Sequence, residues 1–282
     1  MFKDVSFGQY YPANSPIHRM DARVKLIITL MFVVGIFFIK SYFGFMLTAA
    51  LLITIVLVAK LPIGSVLKSV RGVLFIVAFT ALINLFLGGE NGSEILWSWK
   101  KLVITISSVH TTIKMVLRLV LLITGASLLS LTTTPVALAD GVESLLSPLR
   151  LIKVPVRDIA MIMSIALRFI PTLFEETHKI IAAQKSRGAA FDTGGPLQRA
   201  KALLPVLIPL FVNSFRRADE LAFAMDSRCY NATDNRTKMK VAKIGLADCI
   251  SSLVMSGYFV VIMLDRYFWC GLVDTLMFGG LV

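Results

Sequence analysis

Residues 26–59 read LIITLMFVVGIFFIKSYFGFMLTAALLITIVLVA, and this stretch decides the fold because its only charge is that of Lys40. A membrane-spanning helix needs about 20 apolar residues, with about 17 as the lower limit. The stretch is therefore long enough for two short spans, joined by a hairpin at Lys40-Ser41-Tyr42. Across the whole chain, 56% of the residues are hydrophobic and 16% are charged, which no ordinary soluble globular domain combines. Apolar surface of this extent requires lipid.

Three further apolar runs follow and complete the predicted membrane domain. The third span extends from Val73 to Leu87, the fourth from about Lys114 to Leu131, and the last from about Ile244 to Leu264. The tail over residues 267–282 is apolar but short, and it leaves a sixth crossing open. The sequence thus predicts an all-α polytopic membrane protein with about five transmembrane helices, or six if the tail crosses.

Basic residues are concentrated on one side of these spans. They precede the first span, lie between the second and third, and above all occupy the region between the fourth and fifth; the chain has 29 Lys and Arg against 17 Asp and Glu, a net charge of +12. Cytoplasmic loops carry the excess of Lys and Arg, so we expect the N-terminus to be cytoplasmic. The predicted organisation is a cytoplasmic segment at 1–25, a membrane domain of about four spans at 26–131, a cytoplasmic helical domain at 132–240, and a final span with an apolar tail at 241–282.

Several classes of function lack the residues that they need. The chain contains no GxxxxGK[ST] phosphate-binding loop, so we expect no ATP hydrolysis by this polypeptide. Its three histidines lie far apart without an HExxH motif, and its three cysteines form no CxxC pair, which predicts no catalytic site, no metal site and no cofactor. The basic residues have no fold context for reading bases, which argues against nucleic acid as a partner.

Asp248 is the one acidic residue inside a predicted span. Such residues are functional candidates by default, because a charge in lipid is costly. An ion-coupled secondary transporter would use an acid of this kind, and it is the alternative interpretation of the chain. A single acid near the start of a helix is also typical of the membrane interface.

The segment 132–240 is too charged to cross lipid unaided and too apolar to be a disordered loop. We therefore expect its apolar residues to pack against another surface. Thr132-Thr133-Thr134-Pro135 predicts a helix start, since hydroxyl caps precede a proline suited to the first turn. The apolar runs Ile159 to Ile170 and Leu203 to Val212 are interrupted or bounded by proline. Runs of about ten residues cannot span, and they predict helices that lie against the membrane face or the other spans.

The same segment contains a short internal sequence repeat. Ala183-Gln184-Lys185-Ser186-Arg187-Gly188 aligns with Ala224-Met225-Asp226-Ser227-Arg228-Cys229, and each follows a proline, an acidic pair and an amphipathic helix. Each arginine therefore lies at the predicted C-terminal end of its helix, where the helix dipole stabilises a cation by a few tenths to about 1 kcal/mol. A guanidinium at that position can equally bind a carboxylate of a second protein through two hydrogen bonds. Two copies predict two docking points.

Several short motifs follow one another along nearly the whole chain: Ser15-Pro16-Ile17-His18-Arg19-Met20-Asp21-Ala22-Arg23-Val24-Lys25-Leu26, Thr132-Thr133-Thr134-Pro135, Ala166-Leu167-Arg168-Phe169-Ile170-Pro171, Ser186-Arg187-Gly188, Ser214-Phe215-Arg216-Arg217-Ala218-Asp219-Glu220-Leu221-Ala222 and Ser227-Arg228-Cys229. No single motif is diagnostic, but the order and spacing are specific. In this arrangement the chain resembles the transmembrane T component of energy-coupling factor transporters, the prokaryotic ABC-type importers of vitamins and metal ions.

The resemblance implies which residues bind a partner. In that family the two short motifs are usually Ala-Arg-Gly at the ends of cytoplasmic coupling helices, and their arginines dock into two ATP-binding subunits. The residues assigned to docking are Ser186, Arg187, Gly188, Ser227, Arg228 and Cys229, with Arg216, Arg217, Asp219 and Glu220 in support. Cys229 replaces the usual second glycine, and because a cysteine would be strained at a positive φ, we expect the second helix to end differently.

The resemblance also implies a mechanism. The two ATPases, a homo- or heterodimer, would close on ATP and open after hydrolysis, and the arginines would pass that motion through the coupling helices. A separate membrane-embedded S component would then reorient and release its vitamin or metal ion inside the cell. This chain would be a non-catalytic scaffold in the plasma membrane of a prokaryote, and the substrate would bind to another polypeptide.

Overall fold

The structure, a computed structural model, describes residues 10–87, 95–99, 102–148, 155–189, 191, 195–230 and 245–268. Its elements are, in chain order, α1 (Ala22–Phe38), α2 (Tyr42–Ala59), α3 (Ile63–Leu87), β1 (Ile95–Trp99), β2 (Leu102–Thr105), α4 (Ile106–Thr132), α5 (Pro135–Leu145), α6 (Val156–Ser186), α7 (Pro196–Ser227) and α8 (Leu246–Phe268). Contacts divide the chain into a first unit, Met1–Val142 with Ala242–Val282, and a second unit, Glu143–Val241. This division differs from the predicted membrane boundary at 132, because contacts do not mark where lipid ends.

Four helices of the first unit, α2, α3, α4 and α8, are long and apolar enough to cross a membrane. The fifth predicted crossing, α1, has 17 residues and so lies at the lower limit of length for a span. The predicted class, a helical polytopic membrane protein with about five spans, is confirmed. The tail that left a sixth crossing open lies outside the described residues beyond Phe268.

The fourth span begins earlier than hydropathy alone predicted. Since α4 starts at Ile106, both Lys114 and Arg118 lie inside the helix. Arg118 Nη2 donates to the carbonyl oxygen of Ile39 at 2.8 Å, at the C-terminal end of α1. The Lys114 ammonium lies 4.7 Å from the centroid of the Tyr42 ring, at the start of α2. The turn between α1 and α2 therefore supplies partners for both cations, which is how the span accommodates them.

Hydroxyl side chains fix the starts of α4 and α5. At α4 the amide of Ser108 donates to Thr105 Oγ1 at 3.2 Å, and the amide of Thr105 donates to Ser108 Oγ at 3.1 Å, which forms a capping box. At α5 the amide of Ala137 donates to Thr134 Oγ1 at 3.3 Å, and Pro135 is the first helical residue. The helix start predicted from this run of threonines is confirmed.

Aromatic side chains of α1 and α8 form the centre of the first unit. Phe32 is 3% exposed and stacks on Tyr258, with ring centroids 6.4 Å apart. The Tyr258 hydroxyl is hydrogen-bonded to Thr48 Oγ1 of α2 at 2.9 Å. On α4, a Cβ at Gly125 would lie 2.0 Å from a ring carbon of Phe32, so only glycine lets α1 and α4 approach this closely.

A short antiparallel hairpin lies between α3 and α4, which the predicted all-α fold did not include. Strand β1 pairs with β2, with Trp99 opposite Leu102 and an irregularity in register after Ile95. Its residues are rich in aromatic and β-branched types, which favour strands. The pairing is too short for the periodicity of a sequence to distinguish it from the apolar runs on either side.

The second unit contains two long helices, α6 and α7, which pack against each other. They have 31 and 32 residues, and α6 continues through Pro171 while α7 continues through Pro205 and Pro209. Both apolar runs are helical as expected, and the prolines do not end the helices. An interior proline costs a helix roughly 3 kcal/mol, and the contacts between α6 and α7 offset that loss. Val206, one residue after Pro205, is 5% exposed.

Candidate functional site

The two arginine motifs end α6 and α7 with the same backbone geometry. At α6 the amide of Gly188 donates to the Lys185 carbonyl at 3.0 Å, and the amide of Ala189 donates to the Gln184 carbonyl at 3.0 Å. This pair of bonds is a Schellman motif, which satisfies the last carbonyl groups of a helix. Gly188 has a φ of +87°, the left-handed conformation that the motif requires.

The end of α7 repeats this arrangement residue for residue. The amide of Cys229 donates to the Asp226 carbonyl at 2.9 Å, and the amide of Tyr230 donates to the Met225 carbonyl at 2.9 Å. Cys229 has a φ of 51°, so it occupies the left-handed position of Gly188. The expectation that the second helix ends differently was therefore wrong, because Cys229 adopts the left-handed conformation despite its side chain.

Arg187 and Arg228 are the C-cap residues of their helices, with φ and ψ of −86° and 5° for the first and −94° and 14° for the second. Both side chains are exposed. Within the part of the chain that the structure describes, neither guanidinium forms a hydrogen bond or an ion pair. Two equivalent cations therefore project from two equivalent helix ends with their hydrogen-bond donors available.

The serines that precede these arginines are satisfied by their own helices. Ser186 Oγ donates to the carbonyl of Ala182 and Ser227 Oγ donates to the carbonyl of Ala224, each at 3.1 Å. A hydroxyl bonded in this way adds little to what an alanine would present at the same place. The serines thus leave the geometry of the arginines unchanged.

The glycine and the cysteine at the two helix ends give a matched pair of substitutions. We expect Cys229→Gly to stabilise the chain by about 1 kcal/mol, because glycine adopts the left-handed conformation without the penalty that a side chain incurs. The midpoint of thermal unfolding, followed by circular dichroism in detergent, should rise by about 2–4 °C. Gly188→Ala should lower it by a similar amount. A lower midpoint for Cys229→Gly would show that the cysteine is not strained.

The residues predicted to support the site divide into two groups. Arg217 of α7 forms an ion pair with Glu176 of α6, and its guanidinium carbon lies 5.9 Å from the centroid of the Phe169 ring. Arg216 and Glu220 instead form an exposed pair along α7, with 3.6 Å between Arg216 Nε and Glu220 Oε1. Asp219 is exposed as well. Arg217 therefore joins the two helices, while the other three residues lie on their surface.

Two contacts of the second unit were missed by the sequence analysis. Glu176 was noted only as one of an acidic pair, and nothing in the spacing indicated that it would meet Arg217. The hydroxyl of Tyr230, one residue after the second motif, contacts the sulfur of Met161 near the start of α6. The one available signal was the amphipathic character of both helices, which predicts that they pack but not which residues meet.

Asp248, the basis of the alternative interpretation, lies in the first turn of α8 and is 4% exposed. Its Oδ1 accepts a hydrogen bond from the amide of Asp21 at 2.9 Å, and its Oδ2 accepts one from the amide of Gly245 at 2.7 Å. Both carboxylate oxygens are thus engaged by backbone amides. This is the arrangement of a helix cap, and it explains the buried acid without an ion.

His18 is held inside the N-terminal motif. Its Nε2 lies 3.0 Å from the Tyr11 carbonyl oxygen, which can only accept, so Nε2 carries a proton and donates. Its Nδ1 lies 2.8 Å from Ser15 Oγ and accepts the hydroxyl proton in the neutral ring. Burial lowers the pKa of His18, the Tyr11 carbonyl partly opposes that shift, and the charge of Lys25 adds to the lowering. The imidazole is therefore neutral at pH 7 and serves as a structural link.

Metal and thiol chemistry find little support in the described ranges. There, no three His, Cys, Asp or Glu side chains come together as metal ligands. Cys229 and Cys249 are free and exposed, and Cys270 lies outside the described residues. What the site offers is two exposed guanidinium groups on a rigid pair of helices, which suits binding to a protein surface.

Comparison with known proteins agrees with this description. The family model for CbiQ, described as a cobalt transport protein, matches residues 13–239. The energy-coupling factor transporter transmembrane protein EcfT of Ruminiclostridium cellulolyticum is 47% identical over 267 residues, which cover 95% of this chain and 99% of that protein. The proteins of the same name from Acidaminococcus fermentans and Clostridium kluyveri are 45% and 44% identical, over 95% of this chain and 98% and 99% of theirs. The chain therefore belongs to the family of transmembrane T components of energy-coupling factor transporters.

Proposed function

We propose that this chain couples ATP hydrolysis in two ATP-binding subunits to substrate uptake by a membrane-embedded S component. The observation that carries the proposal is the pair of exposed arginines, Arg187 and Arg228, on two helix ends with the same hydrogen-bond pattern. A repeated structure on one chain suits a partner that is itself a dimer or pseudo-dimer. The docking residues are Ser186, Arg187, Gly188, Ser227, Arg228 and Cys229.

The chemistry of docking follows from the position of the arginines. The C-terminal end of a helix carries a partial negative charge, which each guanidinium offsets while its donors point outward. A carboxylate in a groove of each ATP-binding subunit would accept two parallel hydrogen bonds from one guanidinium. Movement of the two subunits on ATP binding would then displace α6 and α7, and the Arg217–Glu176 pair would make the two helices move together.

The location of the partners follows from charge and chemistry. ATP is available in the cytoplasm, and the positive-inside rule assigns the N-terminus and residues 132–240 to that side of the plasma membrane of a prokaryote. The chain itself catalyses nothing in this account and binds no cofactor. Hydrolysis takes place in the partner subunits.

Exposed apolar surface is available for the S component. On α7 the side chains Leu204, Ile208, Phe211 and Phe215 follow one another at helical spacing and are 51–67% exposed. A cytoplasmic helix with such a stripe needs a partner or the membrane surface to cover it. The S component would hold the vitamin or metal ion, so the identity of the substrate is a property of that protein.

An ion-coupled secondary transporter is disfavoured by the surroundings of Asp248. Here both carboxylate oxygens accept backbone N–H groups, of Asp21 and Gly245. The same contacts suit a residue that fixes the start of α8.

Co-purification tests the proposal. The tagged chain, expressed with the ATP-binding and S components of its host, is expected to retain two ATP-binding subunits through purification in mild detergent. Reconstitution into proteoliposomes separates the alternatives, because the chain alone should transport nothing. Transport by the isolated chain, driven by an ion gradient, would favour a secondary transporter and would contradict the proposed function.

A further inference from the structure

The segment Tyr11–Lys25, which we call the N-terminal clamp, touches the ends of two helices that are far apart in the sequence. It precedes and begins α1, and it contacts the last turn of α4 and the first turn of α8. The first unit ends at Val142 and resumes at Ala242, so the chain leaves it shortly after α4 and re-enters it shortly before α8. The clamp thus contacts α4 and α8, the membrane-spanning helices of the first unit that come before and after the two covalent connections to the second unit in chain order.

On the α4 side the clamp closes the end of the helix. The amide of Tyr11 donates to the Leu131 carbonyl at 3.0 Å. Lys25 Nζ donates to the carbonyl of Thr132, the last residue of α4, at 2.9 Å, and to Thr133 Oγ1 at 3.4 Å. Carbonyl groups at the end of a helix have no partner within it, so these bonds hold the point where α4 passes into α5.

Helix α5, which follows, also packs against the clamp. A Cβ at Gly141 would lie 3.2 Å from the backbone carbonyl carbon of Ala22 and 3.1 Å from a methyl carbon of Leu26. These distances are shorter than ordinary Cβ contacts, so an alanine here would require its neighbours to move by a few tenths of an ångström. The clamp therefore contacts α5 at Gly141 as well as the end of α4.

On the α8 side a single carboxylate makes the link. Asp248 accepts from the amide of Asp21 in the clamp and from the amide of Gly245 at the start of α8. The side chain of Asp21 in turn accepts from the amide of Arg23 at 3.0 Å, which caps α1. The starts of α1 and α8 are therefore joined through two aspartates.

Burying the ammonium group of Lys25 to hold the end of α4 costs free energy. Lys25 is 6% exposed, and its three hydrogen bonds go to neutral oxygens, those of Thr132 and Thr133 and the carbonyl of His18 at 3.4 Å. Removing an ammonium from water costs several kcal/mol, and a methionine of similar length would fill the space without that loss. The directed hydrogen bonds of the ammonium group fix where the end of α4 lies relative to α1.

We propose that Lys25 and Asp248 are positioning residues for coupling: they fix the end of α4 and the start of α8 to α1, so that displacement of the second unit moves α1, α4 and α8 together. The inference rests on the proposed function. Without the clamp, movement of α6 and α7 would be absorbed at the two connections. The ATP-binding subunits would still bind, because Arg187 and Arg228 are untouched.

Hydrogen–deuterium exchange in the assembled complex tests this inference without a known substrate. Exchange is compared with and without a non-hydrolysable ATP analogue, in the wild type and in Lys25→Met and Asp248→Ala. We expect the nucleotide-dependent difference to persist in α6 and α7 and to fall at least about fivefold in α4 and α8, since coupling between sites is commonly worth that much. Asp248→Asn keeps one acceptor oxygen and should keep part of the difference. Lys68→Met removes an exposed cation of α3 and should leave it intact.

Three other results of the exchange experiment would each have a different meaning. A purely structural role would raise exchange in both nucleotide states equally and preserve the difference in α4 and α8, which would overturn the inference. Loss of the ATP-binding subunits from the Lys25→Met complex would also overturn it, since the clamp would then serve assembly. If the wild type itself retained no ATP-binding subunits, the proposed function would have failed, and not the clamp alone.

Discussion

Replacing Arg187 and Arg228 together by glutamate is expected to abolish assembly with the ATP-binding subunits and to leave membrane insertion intact. Each substitution places a carboxylate opposite the acidic group that binds the arginine in the partner. It also adds negative charge to the negative end of a helix dipole. Truncating one member of a charge pair at an interface costs about 2–5 kcal/mol, so two such losses correspond to at least a roughly thousandfold weaker complex. Co-purification of the tagged chain measures the effect directly.

The control for this variant is a second pair of charge reversals. Lys179 and Lys201 are exposed cations of α6 and α7, away from the helix ends. Lys179→Glu with Lys201→Glu changes the net charge by the same amount, and we expect it to retain both ATP-binding subunits. If transport survived in the double arginine variant, the assignment of these two residues to docking would be wrong.

Arg217→Glu is expected to produce the largest loss of stability. The side chains of Arg217 and Glu176 are 31% and 21% exposed, so the substitution would oppose two carboxylates in a partly buried site. Glu176 Oε2 is already buried and has no hydrogen-bond partner among the described residues. Hydrogen bonds to charged groups contribute about 1.5–3 kcal/mol, and we expect a loss on the order of 2–3 kcal/mol in thermal unfolding of the purified chain.

Two further variants show whether the ion pair is responsible. Exchanging the charges, with Arg217→Glu and Glu176→Arg in one chain, should recover much of the loss. Arg216→Glu should cost less than about 1 kcal/mol, because the Arg216–Glu220 pair is 78% and 69% exposed and such pairs contribute little. Equal losses for Arg216→Glu and Arg217→Glu would mean that general charge, and not this contact, determines stability.

The sequence was sufficient for features that depend on local pattern. Apolar runs predicted the spans, and the threonines before Pro135 predicted the start of α5. The repeated motif predicted two equivalent helix ends, which α6 and α7 possess. In each case the determinant lies within a few residues of the feature, so no knowledge of tertiary contacts was needed.

Features that depend on distant residues could not be predicted. Whether a helix continues through Pro171 or Pro205 is decided by packing between α6 and α7. The sequence likewise presented Asp248 as an isolated acid, because its partner, the amide of Asp21, is separated from it by most of the chain. An acid that looks functional by hydropathy can thus be a cap between two helices.

Cys229 offers the most direct measurement of the central claim, that the ends of the two helices bind ATP-binding subunits. It is an exposed thiol next to Arg228, and it can be made the only cysteine by Cys249→Ser and Cys270→Ser. A maleimide should label Cys229 readily in the chain alone and slowly or not at all in the complex. A chain with Cys229→Ser and Lys179→Cys added to those two changes should be labelled alike in both states. Unchanged labelling of Cys229 in a complex that retains both ATP-binding subunits would contradict docking at this helix end.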